Sequence, residues 1–134
     1  MPHLTLEYSA GLADNESVAL LCRKLARWLQ DLRDGERIVY PVGGIRVRAL
    51  RCDTYCIADG AIDAAFMHAS LKIAAGRSDA VKKMTGDALF DIIKAHFAQT
   101  FERQGLALSL EVNVNEFSEA GTWKHNNLHA RLAR

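Results

Sequence analysis

The chain has 134 residues, with 17 basic against 16 acidic side chains, a formal charge of +1, 49% hydrophobic and 25% charged residues. That length suits one domain spanning 1–134 with its own core, and two separate domains would each be marginal. The balanced charge gives no long-range field to steer nucleic acid or an anionic membrane. No apolar run reaches the roughly 18 residues of a membrane span, and the start has no secretory pattern, so the expected location is the cytoplasm.

Residues 3–9 alternate, with Leu4, Leu6 and Tyr8 on one side and His3, Thr5 and Glu7 on the other, which predicts a half-buried strand ending at Gly11. Asp14 or Asn15 can cap a helix of about 16–33, where Val18, Leu21, Cys22, Leu25, Trp28, Leu29 and Leu32 form one apolar stripe. Gly35 closes it. Residues 44–51 predict a second strand, with Ile45, Val47 and Ala49 opposite Arg46, Arg48 and Leu50. A turn-rich linker follows, marked by Asp59-Gly60. A third strand covers 65–74. Ser78 caps a helix of about 79–103, and Gly105 ends it. Alternating Leu106, Leu108, Leu110, Val112 and Val114 make the fourth strand. The tail from 122 has no clear period and suits a short strand or hairpin lying across a neighbour.

The halves align without gaps at an offset of 65, so that HLTLEYSAG at 3–11 lies over HASLKIAAG at 68–76 with four identities in nine positions. Strand, helix and strand coincide in the same register. The fold class is therefore α/β (α+β): a duplicated β-α-β unit, about 2–51 and 66–115, giving a four-stranded mixed sheet with two helices on one face. The other sheet face is expected to carry enough apolar side chains to want a partner, so the chain is expected to be a homo-oligomer.

Three cysteines, Cys22, Cys52 and Cys56, are an odd number for a disulfide framework. Cys52 and Cys56 lack a second ligand pair nearby and read as thiols, and the five histidines form no metal motif. No GxGxxG, Walker or nucleophile-elbow pattern is present. Trp28, Phe66 and Phe97 read as core residues.

Two features could carry chemistry. Removal of Met1 would leave Pro2 as a secondary amine at the start of a strand. An α-amine titrates near about 8 and falls further beside cations, the range proton abstraction next to a carbonyl needs. A Met1 that stays on makes the same nitrogen a non-basic amide. Pro2 is otherwise simply a residue tolerated before an edge strand. The second feature is a set of cations: Arg46 and Arg48 on one strand face, Arg51 at its end, Lys72 on the third strand, and Arg77 after Gly76 at a helix start. Arg46 and Arg77, flanked by glycines in GGIR and AAGRS, suit bidentate binding of a carboxylate. Arg48 and Arg51 equally suit surface pairs with acidic neighbours.

With PHLTLEYS at 2–9, GGIRVRA at 43–49, DTYCIADG at 53–60, FMHASLKIAAGRS at 66–78, ALFDIIKAHF at 88–97 and KHNNLHA at 124–130, the sequence resembles the 5-carboxymethyl-2-hydroxymuconate isomerase family of the tautomerase superfamily. The resemblance implies a homotrimer with active sites between subunits and no metal or organic cofactor. It implies that Pro2 acts as catalytic base and then acid. Arg46 and Arg77 would bind substrate carboxylates and the 2-oxo or 2-hydroxy group, and Arg48 would stand at the pocket wall. Tyr40, Tyr55 and Lys72 are further pocket candidates. The implied substrate, a di- or tricarboxylate, arises in bacterial breakdown of homoprotocatechuate from 4-hydroxyphenylacetate. Two alternatives remain: a trimeric, non-catalytic ligand-binding or interaction protein of the same fold, and a tautomerase for another α-keto acid.

Overall fold

A computed structural model describes residues 2–115 and 123–132. Strand β1 (His3–Ser9) leads to helix α1 (Asn15–Asp31), capped by the Asp14 carboxylate, which accepts from Ser17 N at 2.8 Å. Val18, Leu21, Leu25 and Leu29 of α1 are buried, and Cys22, Trp28 and Leu32 pack at the border of the core. The helix ends at Asp31, before Gly35. Gly35 instead serves a tight turn between two short strands, β2 (Arg33–Asp34) and β3 (Arg37–Ile38). Its φ of 64° is the conformation a side chain disfavours. A 3-10 turn over Val42–Gly44 then feeds β4 (Arg46–Cys52).

The linker carries the expected turn: Gly60 has φ 78°, and the Asp59 carboxylate accepts from Ala61 N at 2.9 Å. Strand β5 (Ala64–Ala74) leads to α2 (Asp79–His96), where the Ser78 hydroxyl accepts from Val81 N at 3.2 Å. The long helix expected to 103 is interrupted at Phe97, whose ring is buried, and resumes as α3 (Ala98–Arg103). Strand β6 (Gly105–Asn115) completes the sheet, and α4 (Leu128–Leu132) lies near the C-terminus.

The main sheet has the order β4-β1-β5-β6. Each crossover unit pairs parallel strands, β1 with β4 and β5 with β6, while the central pair β1 and β5 is antiparallel. Helices α1 and α2 cover one face and touch each other. Leu4, Leu6, Tyr8, Met67, Ala69, Leu71 and Ile73 are buried beneath them with Leu21, Leu25, Leu29, Leu89 and Ile93. This is the duplicated β-α-β architecture with a mixed sheet and both long helices on one face.

The ladder refines the repeat. His3 pairs with Arg46, whereas His68, its counterpart at offset 65, pairs with Ser109 rather than Glu111. The second crossover is thus two residues shorter. A two-residue slip keeps every side chain on its original face, which is why a gap-free alignment conceals it.

The uncovered face differs from expectation. Its rows read Arg46–His3–Lys72–Asn113, Arg48–Thr5–Ser70–Glu111 and Leu50–Glu7–His68–Ser109. They are mostly polar, because the alternating strands send their apolar set toward the helices. Phe66, expected in the core, stands on this face and meets Tyr55 edge-on at 5.9 Å. The tail helix also differs from the expected strand or hairpin: it packs on the 3-10 turn of its own chain. Residues 116–122 and 133–134 of that tail lie outside the described residues, as does Met1. No helix among the described residues is long and apolar enough to cross a membrane.

Candidate active site

The antiparallel relation of the two units decides which groups meet. The starts of β1 and β4 lie at the same sheet edge as the end of β5, because His3 pairs with both Arg46 and Lys72. The start of α2 follows β5 at that edge. Pro2, Arg46 and Arg77 therefore lie at the same end of the sheet, although they are far apart in sequence. A uniformly parallel array would have collected strand ends only.

Pro2 is buried, and its carbonyl accepts from Arg46 N at 3.0 Å. This bond is the first rung of the β1–β4 ladder, so it ties the position of Pro2 to the backbone of Arg46.

The two arginines hold opposite ends of one loop, residues 39–45. Arg46 Nη1 donates to Gly43 O at 2.9 Å and Ile45 O at 3.1 Å. Arg77 Nη2 donates to Val39 O at 3.2 Å, and Arg77 Nη1 donates to Ala74 O at 3.3 Å. The Arg77 guanidinium carbon also lies 4.7 Å from the centroid of the Tyr40 ring, a cation–π distance. Both arginines are half-buried. A guanidinium has five N–H donors, so bonds to two carbonyls fix its pose and still leave donors for a carboxylate.

Tyr40 is itself locked. It is fully buried, and its hydroxyl lies 2.9 Å from Thr85 Oγ1, which donates to Val81 O at 2.8 Å. A threonine hydroxyl has one hydrogen, so Tyr40 is the donor of the pair. Tyr40 therefore anchors the loop to α2 and supports Arg77 with its ring face.

Lys72 stands at this edge, in the row of Arg46 and His3, whereas Arg48, Tyr55 and Arg51 lie further along the sheet or on the linker. Arg48 is exposed on the open sheet face, where its Nη1 donates to His3 Nδ1 at 3.2 Å. That donor requires an unprotonated Nδ1 on His3. Partial burial holds the His3 pKa below its usual value, and Arg48, Arg46 and Lys72 add repulsion against a second proton. Lys72 is exposed beside His3, Tyr55 is on the linker, and Arg51 pairs with Asp53 at 3.0 Å. On the same open face, His68 bridges Ser109 at 2.7 Å and Glu111 at 3.3 Å. The bond from His68, then that from Asn113, holds the Glu111 carboxyl below its usual range. All three thiols are free.

Sequence reasoning missed the carbonyls. Val39 O and Gly43 O orient both arginines, yet no side-chain pattern announces a carbonyl's direction. The paired glycines at 43–44 were the available signal. Asn126, unusual in a tail and expected from the sequence to bond to an adjacent strand or subunit, donates through Nδ2 to Gly43 O of its own chain at 3.4 Å.

The family model for 5-carboxymethyl-2-hydroxymuconate isomerase matches residues 2–132. The chain belongs to this family. It is 37% identical over 130 residues to the 5-carboxymethyl-2-hydroxymuconate Delta-isomerase of Escherichia coli, covering 97% of this chain and 98% of the relative. The crystal structure of a 5-carboxymethyl-2-hydroxymuconate isomerase from Deinococcus radiodurans R1 is similar with a TM-score of 0.86 and 48% identity, over 99% of this chain and 95% of that one. A second crystal structure, of a 5-carboxymethyl-2-hydroxymuconate delta-isomerase, has a TM-score of 0.87 and 31% identity, over 100% and 94% of the two chains.

Proposed function

We propose that this isomerase acts, without a cofactor, on 5-carboxymethyl-2-hydroxymuconate or a closely related unsaturated 2-hydroxy polycarboxylate in the cytoplasm. Its step belongs to the breakdown of homoprotocatechuate. The observation that carries the site assignment is the meeting of Pro2, Arg46 and Arg77 at one sheet edge, with both arginines fixed to a single loop.

In the mature chain the Pro2 nitrogen is a secondary amine. It takes the proton of the 2-hydroxy group, leaving a dienolate whose charge is shared between oxygen and the conjugated carbons. The resulting prolinium returns the proton to a conjugated carbon, a C–H bond forms, and the 2-oxo group is complete. The amine ends as it began. Arg46 and Arg77 hold the carboxylates and offset the charge developing on oxygen. Their positive field also favours the neutral amine that the first step needs. Arg48 is the more distant member of the set, and its partner His3 keeps it on the open face.

The protein is a homo-oligomer, and a trimer in this reading. Trp123 is 87% exposed and Phe101 64% exposed, and strands β4 and β6 are sheet edges. An open edge strand offers unpaired backbone groups on which a strand of another copy can pair. Sedimentation should give three times the chain mass.

Ultraviolet turnover of 2-hydroxymuconate-type dienols tests the activity, together with the mass of the mature N-terminus. The expected mass lacks Met1. A chain that turns over substrate with Met1 retained would remove Pro2 from the mechanism. Pro2→Ala is expected to retain a primary amine and part of the rate. Unchanged kinetics in Arg46→Ala and Arg77→Ala would remove the carboxylate-binding role. Absence of turnover with every dienol tested, in a correctly processed oligomer, would favour a non-catalytic binding protein of the same fold.

A further inference from the structure

The segment 123–132 lies against the loop that orients Arg46. Its helix α4 packs on the Val42–Gly44 turn. The His129 ring is so close that a Cβ on Gly43 would stand 2.6 Å from His129 Nδ1. A side chain at position 43 would displace the His129 ring from this pose. Asn126 makes the polar contact. Its Oδ1 accepts from Leu128 N at 2.6 Å, at the start of α4. Because the oxygen is committed there, the amide nitrogen must face Gly43 O, to which it donates at 3.4 Å.

Gly43 O is the same carbonyl that receives Arg46 Nη1. A carbonyl has two lone pairs, and here one is met from the C-terminal segment and the other from the arginine. Rotation of the Gly43 peptide would break both bonds. The Asn126 bond and the packing of His129 on the Gly43 Cα oppose that rotation.

We propose that the segment Asn126–Leu132 is a clamp on the Gly43 peptide, and that Asn126 is a positioning residue that holds the Arg46 guanidinium through their shared carbonyl. The clamp rests on the reading of Arg46 as a substrate-carboxylate binder. In this role Asn126 acts on the substrate only through Arg46. Releasing it lets the carbonyl turn, and Arg46 then loses the bond that aims it. Binding of an anionic substrate weakens more than the proton-transfer step slows.

The test is a kinetic double-mutant cycle on the assembled enzyme with Asn126→Ala, Arg46→Ala and the double variant, using a 2-hydroxymuconate-type dienol and a competitive dicarboxylate. Loss of one such bond corresponds to roughly a three- to tenfold change. Asn126→Ala is expected to raise KM and the dicarboxylate Ki by about that factor, with a smaller change in kcat. On the Arg46→Ala background, Asn126→Ala is expected to raise KM no further, since the residue through which it acts is gone. A purely structural role would add its penalty on both backgrounds. If Arg46→Ala weakens binding while Asn126→Ala matches the parent, the clamp is refuted and the role of Arg46 stands. If the two penalties add, Asn126 does not act through Arg46 and the clamp is likewise refuted. If Arg46→Ala leaves KM and Ki unchanged, the reading of Arg46 fails, and the clamp with it.

Discussion

Tyr40 joins the stability of the fold to the placement of Arg77, and the two contributions can be separated. Its hydroxyl donates to Thr85 Oγ1 at 2.9 Å in a fully buried setting, and Thr85 in turn donates to Val81 O at 2.8 Å. Tyr40→Phe removes the donor but leaves Thr85 its bond to Val81 O, so the expected loss is about 1 kcal/mol. Thr85→Val strands a buried phenolic O–H without an acceptor, and the expected loss is about 1–3 kcal/mol. The double variant strands neither group. It should cost less than the sum of the singles by about 1–2 kcal/mol. Urea unfolding at one fixed protein concentration measures all four corners, which holds the oligomer equilibrium constant across the series. Additivity within about 0.5 kcal/mol would show that the pair is not coupled, and the donor assignment would be wrong. The catalytic arm uses the ring. Tyr40→Phe keeps an aromatic face 4.7 Å from the Arg77 guanidinium, whereas Tyr40→Leu removes it. A cation–π contact of about 0.5–2 kcal/mol predicts that Tyr40→Leu raises KM by about two- to thirtyfold, beyond any change in Tyr40→Phe. Equal KM values in the two variants would show that the ring does not support Arg77.

Further outcomes follow from the core, the histidines and the C-terminal contact. Leu71→Ala, at a fully buried position on β5, should cost about 2–5 kcal/mol in equilibrium unfolding, through lost transfer energy and the cavity left behind. His96 accepts at Nδ1 from the Lys24 ammonium at 3.3 Å, so its Nε2–H donates to Ser17 Oγ at 2.9 Å and the ring is neutral. Burial, then Lys24, lowers its pKa below the ordinary 6.5, against a smaller opposing contribution from Ser17. The unfolded chain therefore takes up the proton first as pH falls. The stability contribution is complete above about pH 6.5 and declines as pH drops toward the lowered value. The slope of unfolding free energy against pH in this window should shrink in His96→Asn, and an unchanged slope would contradict the assignment. Gly43→Ala should lower the thermal midpoint, since the new Cβ meets the His129 ring at 2.6 Å; that ring is exposed and can turn aside, so the expected cost is that of a displaced rotamer, about 0.5–1.5 kcal/mol. In the His129→Ala background the same change should cost less; an equal penalty would place the clash elsewhere.

Much of the fold was legible because local periodicity and global packing agree here. The alternation of Leu4, Leu6 and Tyr8 is the buried set of β1, and the stripe Val18, Leu21, Leu25 and Leu29 is the buried set of α1. Boundaries were harder to read. Gly35 is a stop signal in a sequence, yet the helix ends four residues earlier and the glycine serves a turn of two short strands. The polar character of the open face could have been read from His3, Thr5, Glu7, His68 and Ser70, but an isolated sheet suggested an apolar surface in need of cover. The tail was opaque for a different reason: α4 is a short helix without a buried stripe, held by Asn126 and by its fit to Gly43. Neither relation has a period.

The site was legible as a set of residue types and not as an arrangement. Pro2 stood out by position, and Arg46 and Arg77 by neighbouring glycines, but their convergence needs the antiparallel joining of the two units. Duplication explains that convergence. A two-fold relation between β1 and β5 places the start of one unit's first strand beside the end of the other's, so one end of the sheet receives the β1 start and the β5 end, and the other the β5 start and the β1 end. At one end the groups are Pro2, Arg46 and Arg77. At the other, the ladder counterpart of Arg46 is Ser109, and the sequence counterpart of Arg77 is Leu12, which is buried. The two arginines proposed to bind carboxylates thus stand at the same end of the sheet as Pro2. The same geometry predicts that grafting a second cation at Ser109 cannot create a second catalytic site. Ser109→Arg should leave turnover with one proline-dependent phase, because an internal Met67 has no free amine, and a second phase in that variant would refute the requirement for the terminus.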